Sequence, residues 1–442
     1  MTEPPRWSAR AEREAYGKTL RDRVRRVDQD RWVEGERDVL GRLRASEAGR
    51  HRDLLAVRHA KMAESPFGFL RGGAWVMAPD LAALPATGYH VQICGDAHVR
   101  NLGAYAAIDG RVVFDVNDFD ETCRAPWEWE LTRLAISLVV VGREGGASDA
   151  SARDAVRAMV RTWRETLQQL ADLPAVELAR YCVHRFPPDG AVGRVLRKAE
   201  RMTPVAALAD LTDEAARPHF VDIPNKLRRA TPEESAKVLA ALQQYRETLG
   251  PNRQQVLDCY EPYDVAFKIA GTGSIGAKNY VVLCAGNGPS DPLILQVKQA
   301  LPSCYEALGL VGQDPRIARH GGKRVAEGQH RMQTWADPFL GWTTLDDHPC
   351  YVRHLADHQG SIDPKDLKRS ALAEYASVCG ETFAKAHART GDPAVLWGYA
   401  GEAEKLDRAL AARAIAGADQ VIEDWHALVG AIARGEVEAG AR

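Results

Sequence analysis

The chain has no pair of cysteines at a spacing that suits a metal or a redox couple. Its eight cysteines stand singly at 94, 123, 182, 259, 284, 304, 350 and 379. That argues against a disulfide framework or a cysteine zinc site, and for free thiols in a reducing cytoplasm. No run of about 18 apolar residues occurs, so no membrane-spanning helix and no membrane partner are expected. The opening MTEPPRWSAR lacks the apolar segment of a secretory signal. Charge of one sign is missing too: the formal net charge is −2, with 27% charged residues. Nucleic acid is therefore not an expected partner. Repeats and low-complexity segments are absent, and nothing indicates an oligomeric state. What remains is a chain of 442 residues, 45% of them hydrophobic. That is enough for a full core and, by length, for two or three domains.

Residues 1–60 read as charged helices. Residues 65–81 (SPFGFLRGGAWVMAPDL) mix apolar residues with glycine and proline, which suggests a short strand or loop. Residues 89–94 and 111–116 are β-rich, and 127–142 has helical apolar spacing. Ser148 opens an amphipathic stretch to about Leu173. Thr231-Pro232-Glu233-Glu234 is a capping-box start for a helix to about Thr248. Three strand-like runs follow at 263–270, 279–286 and 291–300. A helix over 323–335, a short strand at 351–355 and a helix from about Asp366 to Arg389 precede a last helical stretch. Trp127 and Trp129 read as packing residues beneath the neighbouring acidic loop.

Two groups of residues carry chemistry. The first is Gly95-Asp96-Ala97-His98, with Asn101 five residues after Asp96 and Asp118-Phe119-Asp120 beyond one more strand. Phosphoryl transfer to a hydroxyl needs one carboxylate to orient the nucleophile, and an amide oxygen and a carboxylate to hold magnesium. Asp and Asn are also ordinary turn residues, so the bare spacing is weak. A zinc or iron reading of His98 with Asp96 lacks a second histidine. The longer pattern resembles the catalytic and metal segments of small-molecule kinases of the aminoglycoside and choline phosphotransferase type. Gly95, Asp96, His98 and Asn101 match their loop. Asp118-Phe119-Asp120, with Glu130-Leu131 twelve residues after Asp118, matches their metal segment. Cys94 stands where these kinases carry histidine, and Glu130 where they carry aspartate. The resemblance implies Asp96 as catalytic base, His98 as a brace of the catalytic loop, and Asn101 and Asp118 as magnesium ligands assisted by Asp120. Asp115 competes with Asp118 for the metal.

The second group is Gly271-Thr272-Gly273-Ser274-Ile275-Gly276. A dinucleotide-binding glycine loop runs from strand to helix. Here a strand follows, which disfavours a nicotinamide enzyme and suits a hairpin folded over a triphosphate. Gly271, Gly273, Ser274 and Gly276 are the candidate nucleotide-binding residues. Lys298, on the third strand, would pair with the phosphates. Glu327 is the first candidate for the lysine's partner and Glu306 the second, while Lys268 and Lys278 read as surface charges. Arg71 could contact phosphate or substrate, or pair with an acid.

The glycine hairpin follows the catalytic loop here, the reverse of the usual kinase order. A circular permutation accommodates this when the original ends lie close at the surface. The motifs KMAESPFGFLRG, CGDAHVRNLG, FDVNDFDET, GTGSIG, LQVKQA and YVRHL together resemble a bacterial family catalogued as a domain of unknown function and distantly similar to kinases. His354 and Gln299 depart from that family's usual Gln and Glu.

The expected fold is α+β: a permuted, kinase-like pair of lobes with a mainly antiparallel nucleotide lobe. The expected divisions are 1–60 (helical segment), 61–260 (catalytic loop and helices), 261–360 (glycine-loop lobe) and 361–442 (returning helices). The expected activity is transfer of the γ-phosphoryl group of ATP, with Mg2+, to a hydroxyl of a small molecule. Nucleotidyl (AMP) transfer and a nucleotide-binding pseudokinase are the alternatives.

Overall fold

The computed structural model describes residues 2–440 except 34, 36, 108–109, 184–185, 187–188, 203, 216, 270–272, 274, 289, 313–319, 356–359 and 369. Eleven strands form among the described residues: β1 (His90–Ile93), β2 (Leu102–Ala106), β3 (Val112–Val116), β4 (Cys123–Pro126), β5 (Leu227–Arg229), β6 (Glu261–Lys268), β7 (Asn279–Ala285), β8 (Pro292–Gln299), β9 (Gly341–Leu345), β10 (His348–His354) and β11 (Gly360–Ser361). They make a pair β1-β4, a sheet β11-β2-β3 and a six-stranded sheet β5-β6-β7-β8-β10-β9. Every pairing among them is antiparallel. The α+β class holds.

The large sheet is covered on both faces, which is why β7 and β8 read as continuous apolar runs. Val282, Leu295, Val297 and Val352 face Val238, Leu242 and Tyr245 of the helix Pro232–Glu247. Val281, Leu283 and Ile294 face Leu208, Leu211 and Phe220. The helix starts where its sequence says it should: Thr231 and Glu234 form both bonds of a capping box.

The remaining core is helical. The helices Trp127–Glu144, Asp149–Ala171, Ser370–Thr390 and Lys405–Ala433 share one buried cluster. Trp127 stacks on Trp163 with ring centres 4.9 Å apart, and Trp129 stacks on Tyr305 at 5.3 Å, so both tryptophans are packing residues. No helix among the described residues is long and apolar enough to cross a membrane.

Two local expectations fail. Residues 65–81 form neither strand nor loop, but the helices Pro66–Gly72 and Ala74–Ala83. Ser65 caps the first by accepting the Gly68 N–H at 3.1 Å, and Pro66 fills a first-turn position that needs no N–H. Strands β2 and β9 were not expected. Each is short and becomes a strand by pairing with a clearer neighbour, β3 and β10.

Candidate active site

The loop between β1 and β2 carries Asp96, His98 and Asn101. Gly95 sits at φ +84°, and a side chain there would start 2.2 Å from the Glu121 carbonyl, so only glycine turns the chain here. One face of the buried helix Trp127–Glu144 holds the loop from below. Glu130 Oε1 accepts the Cys94 N–H at 2.6 Å, and Ser137 Oγ accepts the Val99 N–H at 3.2 Å. Between them Arg133 Nε donates to Asp96 Oδ1 at 2.8 Å, and its Nη2 donates to the same oxygen. Positions 130, 133 and 137 are successive neighbours on a helix surface. Glu130 Oε2 bonds His387 Nε2 at 2.7 Å, which ties the loop to the helix Ser370–Thr390. From above, Tyr305 Oη donates to the Gly95 carbonyl at 2.8 Å.

Asp96 is thus oriented through Oδ1, and Oδ2 is left toward the cleft. His98 Nε2 lies 3.8 Å from Oδ2, too far for a hydrogen bond. Burial, then the charges of Arg71, Arg133 and Arg100, push the His98 pKa well below its ordinary value, so the ring is neutral. Its Nδ1 accepts the Arg100 N–H at 3.2 Å, a bracing role within the loop. Asn101 is buried. Its amide donates to the carbonyls of Asp96 (3.0 Å) and Asp118 (3.1 Å), and its Oδ1 accepts the Asp118 N–H at 2.7 Å.

The two sequence groups meet at Asp120. Lys298 Nζ lies 2.5 Å from Asp120 Oδ2, across 178 residues of chain. Tyr351 Oη donates to the other oxygen at 3.0 Å. Burial alone would lower the Lys298 pKa, but Asp120, with Tyr351 and Asp118, together outweigh it and hold the ammonium form. Asp120 is lowered in return: burial opposes ionisation, and Lys298, with Arg353 and Tyr351, overcomes it. Asp118 opens into the cleft, and its pKa is raised by dehydration first and Asp120 second. Asp115 is elsewhere: it lies on β3, buried in an ion pair with Lys385.

Other expectations are corrected. Glu327 does not hold Lys298. It pairs with Lys323 (3.6 Å) and Arg331 (2.9 Å) on its own helix, Gly321–Met332. Glu306 lies 3.5 Å from Arg324. Lys268 is half-buried, and burial, then Arg353, Lys226 and Lys298, lower its pKa to about 8. Lys278 does sit outside, 3.2 Å from Asp346.

Gly271 and Ser274 lie outside the described residues. Gly273 lies over the Asp96 loop: a side chain there would begin 3.3 Å from the Arg71 carbonyl and 3.9 Å from Asp96 Oδ2. Gly276 turns away at φ +92° and accepts the His51 N–H at 2.7 Å. Below this turn is an inner chamber of about 100 Å³, whose lining includes Asp96, Asn101, Asp118, Asp120, Gly273 and several arginines. An outer chamber of about 390 Å³ shares Arg71, Arg100, Asn117 and Asp118 with it and extends to Arg353 and His354 at the end of β10.

Arg133, Arg50 and Arg58 are site residues that motif reading did not single out. Arg133 had a signal: Glu130, Arg133 and Ser137 are polar residues spaced along one face of an otherwise apolar helix.

Among the described residues no three His, Cys, Asp or Glu side chains are grouped to hold a metal ion. Magnesium rarely uses an all-protein cage, and takes one or two carboxylates with phosphate and water oxygens. Asp118 and the second lone pair of Asn101 Oδ1 fit that lesser demand.

No curated protein and no solved structure matches the chain. A family model described as "Uncharacterized protein conserved in bacteria (DUF2252)" matches residues 50–431, a span that includes both halves of the cleft. The chain belongs to the bacterial family DUF2252.

Proposed function

We propose that the protein is an ATP- and magnesium-dependent phosphotransferase acting on a hydroxyl of a small molecule, with a kinase-like site assembled in permuted order. The convergence of Lys298 and Gly273 on Asp120 and Asp96 carries this reading. A lysine on the third strand of a glycine hairpin, paired with an aspartate of the metal segment while the glycine turn lies over the loop aspartate, suits the arrangement phosphoryl transfer uses.

The roles follow from what each atom can reach. Asp96 Oδ2 accepts the proton of the acceptor hydroxyl, while Arg133 fixes the carboxylate through Oδ1. The hydroxyl oxygen then bonds to the γ-phosphorus, the bond from that phosphorus to the β-phosphate oxygen breaks, and ADP leaves. Asp118 and Asn101 would hold magnesium, which neutralises phosphate charge when bound. Lys298 is kept charged by Asp120 and sits one side chain from the phosphate path. The outer chamber takes the nucleoside, beside the end of β10.

The test is turnover of ATP with a pool of small metabolites, read by mass spectrometry. A product heavier by a phosphoryl group, lost in Asp96→Ala while ATP still binds, is expected. Full activity of Asp96→Ala would sink the assignment, and a product heavier by AMP would move it to nucleotidyl transfer.

A further inference from the structure

Four arginines (Arg50, Arg58, Arg71 and Arg100) and four carboxylates (Asp96, Asp118, Asp120 and Glu121) line the inner chamber, and two of those carboxylates are already held by cations from outside the lining. Arg133 is committed to Asp96, and Lys298 to Asp120. Of the lining arginines, Arg50, Arg58 and Arg71 have no carboxylate within ion-pair distance among the described residues. Among the described residues Arg50 donates only to the carbonyls of Ser46 and Ile275, each at 2.8 Å. Arg58 is 1% exposed and donates through Nη2 to the Gly72 carbonyl at 2.9 Å. Its Nε and Nη1 are buried with no acceptor, as is Arg71 Nε. Burial, then Arg50, brings the Arg58 pKa down to about 9. Glu121 lies in the same chamber and its charge favours the cationic forms of Arg50 and Arg58, but it pairs with neither, and its carboxylate accepts the Cys304 N–H at 2.6 Å.

Buried guanidinium N–H groups without acceptors are costly, and a fold retains them where a ligand supplies the acceptors. Planar guanidinium forks match tetrahedral oxyanions better than point charges do. Drug-sized ligands occupy roughly 300–1,000 Å³. The inner chamber, about 100 Å³, is sized for one small group.

We propose that Arg58 and Arg71, backed by Arg50, form a subsite for a phosphate-type oxyanion beside Asp96. It names the substrate class of that chamber and leans on the phosphotransfer reading only for where the phosphate comes from. The helices Leu55–Ala63 and Pro66–Gly72 supply Arg58 and Arg71, so a segment outside both motif groups completes the cleft.

The experiment is calorimetric titration of the full chain with pyrophosphate, without nucleotide or magnesium. Wild type should bind, and Arg58→Met and Arg71→Gln should each lose about ten-fold or more in affinity, the scale of one charge-assisted hydrogen bond. Arg58→Met removes a buried cation that has no carboxylate within ion-pair distance among the described residues, so its melting temperature without ligand should match or exceed wild type. If it melts lower instead, half-buried Arg71→Gln decides alone. No binding by wild type, or undiminished binding by Arg71→Gln, overturns the proposal. Repeating the titration with a saturating non-hydrolysable ATP analogue and magnesium separates two sources. Competition assigns the subsite to the nucleotide's terminal phosphates, and additional binding assigns it to a phosphorylated acceptor. Magnesium-dependent ATP binding without pyrophosphate binding would leave phosphotransfer standing and remove the subsite. The reverse result would remove phosphotransfer alone.

Discussion

The contact between Lys298 and Asp120 can be tested without knowing any substrate. Lys298→Met, Asp120→Asn and the double variant form a double-mutant cycle whose coupling energy isolates the pair. The lysine side chain is 5% exposed and the aspartate 27%. At their 2.5 Å separation, an effective dielectric of about 20 gives roughly 6–7 kcal/mol of attraction before desolvation. Desolvation of the lysine and cleft water at Asp120 remove much of it, leaving a coupling of about 2–3 kcal/mol. The surface pair Lys278–Asp346, 3.2 Å apart with exposures of 22% and 41%, is the internal control and should couple by less than about 1 kcal/mol. Urea denaturation at pH 7 gives all the values. Because the Asp120 pKa is lowered on folding, its contribution is present above the unfolded carboxylate pKa and is lost as pH falls through the folded one. A coupling no larger than that of the control would mean that the two halves of the chain do not meet here.

Three other outcomes follow from the same geometry. Asp118→Asn should leave stability within about 0.5 kcal/mol of wild type and raise the magnesium needed for turnover, whereas Asp115→Asn, which breaks a buried pair, should cost about 3–5 kcal/mol and leave the magnesium requirement unchanged. Arg133→Gln should lower kcat about 100-fold or more with little change in KM for ATP, since it frees the Asp96 carboxylate without touching the outer chamber. Burial raises the Glu128 pKa from 4.5 to about 7, so the folded state binds the extra proton and stability falls as pH rises from about 4.5 through about 7. Glu128→Gln should therefore be more stable than wild type at pH 8, on the order of 1–3 kcal/mol by chemical denaturation, with the gap closing near pH 4.

Much of this architecture was legible because the deciding interactions are local. Thr231 and Glu234 cap a helix three residues apart, and Ser148 accepts the Ser151 N–H at the start of another. The glycine hairpin was readable because β7 follows it directly. What was not legible depends on distant chain. Nothing in RVAEGQHRMQ says that Glu327 will satisfy its own helix neighbours and leave Lys298 to an aspartate far back in the sequence. Asp115 and Asp118 look alike as letters, and only the position of Lys385 separates them. Arg50 and Arg58 sit in a segment dense with arginine, where a solvated helix face is the ordinary reading, and only the packing of 50–72 under Gly273 and Gly276 turns them inward. Ser65-Pro66 was a helix start hidden by the glycines around it.

The central claim is that this cleft binds magnesium-ATP with both halves of the chain. Thermal shift with ATP and magnesium together, and with each alone, on wild type, Lys298→Ala and Asp118→Ala, tests it most directly, since a ligand that binds only the folded chain must raise its melting temperature. Wild type should show a rise that requires both ligands and is lost in each variant. No rise in wild type at millimolar ATP, or the same rise in both variants, would contradict it.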